Sequence, residues 1–81
     1  MSAHEYRYTV LFEPAEEGGF TVTCPTLPGL VTEGNTLEEA RSRAMGAIRG
    51  YLGSLKKDGL PYPEEDQPPI AEQVAVTIDT V

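Results

Sequence analysis

The chain has 81 residues, 40% of them hydrophobic, and 13 acids against 6 bases give it a formal charge of −7. That length holds one domain, 1–81, around one small core; it buries about two-thirds or less of the surface its unfolded form exposes, so a homo-oligomer or another bound protein is expected to complete it. One cysteine excludes a disulfide framework and zinc-knuckle spacing, no apolar run reaches transmembrane length, and Met-Ser-Ala-His-Glu has no signal-peptide core, so the expectation is a reduced cytoplasmic setting and no membrane.

The charge is unevenly spread. Residues 1–36 hold one base, Arg7, and five acids; residues 37–60 hold five bases and three acids; residues 61–81 hold five acids and no base. Both ends are acidic and the middle is mildly basic, which argues against nucleic acid as the main partner and for a basic protein.

From His4 to Glu13, Tyr6, Tyr8, Val10 and Phe12 alternate with Glu5, Arg7, Thr9, Leu11 and Glu13, the period of a half-buried strand. Pro14–Gly19 is a polar, glycine-ended hairpin turn, and Phe20, Val22 and Cys24 line one side of a second strand. Pro25 and Pro28 remove backbone donors and stop that ladder near Cys24, while Gly29 suits the positive φ of a type II Pro-Gly turn. Leu30-Val31-Thr32 reads as a third short strand, ended by a Gly34-Asn35 turn. Thr36 then caps a helix, with Glu39 three residues on to complete a capping box.

From Leu37 to Lys57 the period becomes helical: Leu37, Ala40, Ala44, Ala47, Ile48, Tyr51, Leu52 and Leu55 fall on one arc. Glu38 and Glu39 in the first turn and Lys56 and Lys57 in the last complement the helix dipole, and Asp58-Gly59 with Pro61 beyond supplies the stop. Pro61 to Pro69 is an acidic, proline-rich loop. In Gln73–Val81, Val74, Val76 and Ile78 alternate with Ala75, Thr77 and Asp79, which predicts a last strand. A right-handed crossover through the helix places it parallel to the first strand. The predicted fold is α+β: a β-β-β-α-β single sheet in strand order 3-2-1-4 with one helix on one face.

The order of these segments, with Pro-Thr-Leu-Pro-Gly, Thr-Glu-Gly-Asn-Thr and Glu-Glu-Ala at this spacing, resembles the HicB family of antitoxins over about Tyr6 to Pro63. The family often has Cys after Leu-Pro-Gly, where Leu30 stands here; one apolar side chain replaces another. The resemblance implies a truncated ribonuclease H-like fold and an antitoxin that binds and silences a HicA-like toxin, a small basic mRNA-cleaving protein, in a type II toxin–antitoxin pair. Many relatives add a C-terminal DNA-binding domain; none is expected in this short form, so nucleic-acid binding is not expected either.

Ribonuclease H-like folds that cleave do so with converging carboxylates around two metals. Glu5 and Glu13 lie far apart on the first strand, Glu38 and Glu39 are accounted for by the cap and the dipole, and Glu64, Glu65 and Asp66 read as a solvated run. Cys24 is a small hydrophobe on an apolar face, and His4 is a terminal residue at the far end of the preceding strand. No catalytic residue, cofactor site or metal site is therefore expected. The alternatives are an orphan oligomeric protein-binding module and a metal-dependent nuclease.

The expected partner-binding residues are Leu27, Pro28 and Leu30 in the proline turn and a stripe of Gly46, Gly50 and Gly53 opposite the apolar arc. For the turn, a purely structural role in shaping the strand joint stands beside the contact role. For the stripe, tolerated glycines at exposed sites stand beside close approach of another backbone.

Overall fold

The computed structural model describes residues 4–80. Its ordered elements are β1 (Leu11–Pro14), β2 (Phe20–Thr23), β3 (Val31–Gly34) and α1 (Leu37–Lys57). The strands form an antiparallel sheet in the order β1-β2-β3, with Phe12 opposite Val22 and Val22 opposite Thr32. The helix lies on the face that carries Val22, and Ala40 and Ala44 are buried against it with Val10, Phe12 and Phe20 around them. The α+β arrangement with one helix on one face is thus as the periodicity predicts.

The helix spans the expected residues. Thr36 caps it, its hydroxyl accepting the Glu39 amide at 3.0 Å. The reciprocal half of the expected capping box is replaced: the Glu39 carboxylate faces Arg43, 3.6 Å away and one turn on. At the other end the Leu60 amide donates to the Leu55 carbonyl and the Gly59 amide to the Lys56 carbonyl, with Gly59 at φ 73°. That is a Schellman closure, and glycine suits its left-handed position.

Three expectations are corrected. The first strand, read over His4–Glu13, is laddered only from Leu11, because β2 gives out at Thr23 and the chain turns at Pro25, which has no N–H to offer. The third strand, read over Leu30–Thr32, runs from Val31 to Gly34, where it ends as expected; Gly34 is buried, and a Cβ there would stand 2.5 Å from the Ala40 amide nitrogen, so the glycine is also set by contact between sheet and helix. The predicted fourth strand is absent from the sheet: residues 61–80 carry no helix or strand, and residues 71–80 are exposed throughout. Alternation shows which side of a segment is apolar, but a strand also needs a neighbouring edge to bond, and here the segment has left its own sheet. Val81 lies outside the described residues. The part of the expected fold that the described residues display is the three-stranded antiparallel sheet with one helix on one face.

Candidate protein-binding surface

Two consecutive tight turns join β2 to β3. The Leu27 amide donates to the Cys24 carbonyl at 3.0 Å, and the Leu30 amide donates to the Leu27 carbonyl at 3.2 Å, with Gly29 at φ 86°. This winding points Leu27 and Leu30 inward. They are 0% and 8% exposed and form, with Cys24, a second core cluster against Tyr8, Ala47, Ile48, Tyr51 and Leu52. The Tyr51 hydroxyl donates to the Pro28 carbonyl at 3.0 Å and ties the turn to the helix. Of the expected contact residues in this turn, Pro28 is exposed, while Leu27 and Leu30 are buried in the core. Gly46, Gly50 and Gly53 are exposed, and nothing lies within 4 Å of where their Cβ atoms would be. The stripe borders open space.

Beyond the helix, the acidic loop folds back along the start of the chain. Tyr62 packs edge-on against Tyr6 with ring centroids 5.3 Å apart, and the Tyr8 hydroxyl donates to the Pro63 carbonyl at 2.6 Å. Glu65 is the anchor: its carboxylate accepts the Thr9 amide at 2.9 Å, the Thr9 hydroxyl, and the Thr26 hydroxyl at 2.7 Å. Those three donors, the Thr9 hydroxyl foremost, hold the Glu65 carboxyl below its ordinary range. A residue read as part of a solvated run is thus the clasp that replaces the missing ladder beyond Thr23. Its only sequence signal is position, since Glu64 and Asp66 beside it make no such bonds among the described residues.

Tyr6 and Tyr8 stack nearly parallel with centroids 6.4 Å apart, the spacing of alternate residues on an extended strand. Their side, continued by Val10 and Phe12, faces the helix across an open groove of about 870 Å³. Its far wall is Ala44, Met45, Ile48 and Leu52, flanked by Arg41 and Arg49. Met45 is 56% exposed there. Burial pushes the Tyr8 phenol and the Cys24 thiol up, the amides of Leu27 and Thr26 opposing it at Cys24, so both groups stay protonated at neutral pH. Among the described residues no three His, Cys, Asp or Glu side chains gather closely enough to hold a metal ion.

The opposite face of the sheet is uncovered. The register sets Glu13, Thr21 and Glu33 in one row and Leu11, Thr23 and Val31 in the next, and Val31 is 65% exposed. Glu16 and Glu17 extend the negative charge onto the hairpin. What the fold presents is therefore surface: an acidic sheet face, and on the other side an apolar groove edged by arginines.

Comparison with known proteins gives this unit its family. Residues 8–77 match the family described as the HicB-like antitoxin of bacterial toxin–antitoxin systems. The UPF0150 protein ssr1765 of Synechocystis is 43% identical over 61 residues, covering 75% of this chain and 77% of its own length. The UPF0150 protein Ta0767 of Thermoplasma acidophilum is 39% identical over 70 residues, covering 86% of this chain and 96% of its own. Antitoxin HicB 1 of Photorhabdus laumondii is 48% identical over an alignment of 61 residues that covers 70% of this chain and 39% of its own length. The chain belongs to the HicB-like antitoxin family. Among the described residues, no helix is long and apolar enough to cross a membrane.

Proposed function

We propose that this chain is the antitoxin of a type II toxin–antitoxin pair and that it neutralises a small, basic, HicA-like mRNA-cleaving toxin by binding it in the cytoplasm. The observation that carries the reading is the family match over residues 8–77. The charge distribution supports it. Glu13 and Glu33 share a row on the uncovered sheet face beside Leu11, Thr23 and Val31, with Glu16 and Glu17 at its end. Such a face attracts a basic RNA-binding surface from a distance and supplies apolar area for it to close on. Pro28 and the exposed Gly46, Gly50 and Gly53 stripe on the outer side of the helix are a separate surface open to a partner. The protein acts as one domain, by occlusion, and needs no catalytic residue, cofactor or metal of its own.

The test is co-expression with a HicA-like toxin, taken from the neighbouring open reading frame where that encodes one, followed by titration of the purified pair at low and high salt. Rescue of growth is expected, with a complex whose association slows as salt rises. No rescue, together with no complex at low salt, overturns the reading.

A further inference from the structure

The segment from Ile70 to Thr80 has the composition of a buried strand and the environment of none. Ile70, Val74, Val76 and Ile78 are between 74 and 85% exposed, and Val74, Val76 and Ile78 alternate along one side. A bend at Asp66 and Gln67 follows the Glu65 clasp. Pro68 and Pro69 then hold their own backbone and that of the residues before them extended, so the segment is directed away from its own sheet. Eleven residues at strand spacing reach about 35 Å. The molecule is accordingly 64 Å long but only 28 by 22 Å across.

The same chain carries the vacant complement. β1 has β2 as its one sheet neighbour among the described residues, so its other edge offers unbonded N–H and C=O groups. Alongside that edge runs the groove walled by Val10, Phe12, Ala44, Met45, Ile48 and Leu52. Charge matches too: Arg41 and Arg49 edge the groove, while residues 70–80 hold two acids, Glu72 and Asp79, and no base. The family match runs on to residue 77, so the segment belongs to the same unit as the sheet it has left.

We propose that two copies of this chain exchange these segments. Residues 73–80 of one copy lie against the free β1 edge of the other, with Val74, Val76 and Ile78 in its groove, and the second copy reciprocates about a twofold axis. The inserted strand runs parallel to β1, in the place a right-handed crossover would give it within one chain, so each half of the dimer becomes a complete four-stranded sheet with one helix. A second copy is the occupant that supplies an acidic, alternating apolar strand of the right length and receives an identical one in return. The exchange fills the helix-side groove and leaves the acidic sheet face open, so it is compatible with partner binding there and independent of it.

The test is the mass in solution and the origin of the strand contacts, both measured on the full chain. Light scattering on the wild type should give about twice the 8.8 kDa chain mass. A sample mixing isotope-labelled and unlabelled protein should show contacts between the methyls of Val74 or Val76 and those of Val10 or Ile48 that cross between chains. Val74→Asp/Val76→Asp changes only side chains exposed in the single chain, so it should give a monomer that keeps the helix and the β1–β3 ladder. Met45→Glu, on the receiving wall, should do the same. A wild-type monomer overturns the proposal, whether its segment stays free or returns to its own sheet. So does a dimer that survives both variants, or strand contacts found only within one chain.

Discussion

Thr9 and Glu65 are 56 residues apart, yet both hydrogen-bond donors of Thr9 end on the Glu65 carboxylate. The pairing stands where β2 has already turned away, so a side chain from the loop after the helix finishes what the ladder leaves undone. It also fixes where the C-terminal segment begins its course.

That clasp predicts a pH dependence. The folded state holds the Glu65 carboxyl below its ordinary range, so it binds fewer protons there than when unfolded. The stabilisation is complete above the ordinary carboxylate range and is lost as pH falls through the lower, folded value. Glu65→Gln should be less stable than wild type at pH 7, and the gap should close in acid. Denaturant melts of both proteins between pH 7 and pH 3 measure this; a gap that is constant with pH would remove the charged clasp.

Leu27 should behave as a core residue. Truncation of a fully buried leucine costs about 2–5 kcal/mol, so Leu27→Ala should lower stability by that much, and Leu27→Asp should prevent folding. Pro28→Ala should leave the fold in place, since Pro28 is exposed and its carbonyl still accepts from Tyr51. Urea unfolding separates the two; a mild Leu27→Ala variant would contradict the inward-wound turn.

The glycines divide into opposite cases. Gly34→Ala drives a methyl into the Ala40 backbone and should cost about 1–3 kcal/mol. Gly50→Ala meets open space within a helix and should raise stability by up to about 1 kcal/mol. Thermal melts of the two single variants should therefore move in opposite directions.

The acidic sheet face should act mainly on the rate of encounter with a basic toxin. Glu13→Lys/Glu33→Lys should slow association at low salt by about tenfold or more, and the loss should shrink as salt rises. Stopped-flow association at several salt concentrations measures it. A rate unchanged at low salt would place the partner elsewhere on the molecule.

Local chemistry determined most of the architecture. The two-residue period marked the strands; the helical period, the Thr36 cap and the Asp58-Gly59 stop bounded the helix at Leu37–Lys57; and Gly29 took the turn that Pro28-Gly29 calls for. These features depend on neighbours a few residues away, so they are written where they act. The segments Pro-Thr-Leu-Pro-Gly and Thr-Glu-Gly-Asn-Thr likewise pointed to the family that the match over residues 8–77 establishes. Tertiary structure decided what depends on distant partners. Leu27 is apolar whether it faces a toxin or the core, and only the double turn shows that it goes inward. Gly34 looks like any turn glycine until the helix packs against it. Glu65 differs from Glu64 and Asp66 only in having Thr9 and Thr26 within reach. Val74, Val76 and Ile78 carry the pattern of a strand, but a pattern names a face and not the edge it will meet; in this chain that edge is not where the backbone leads.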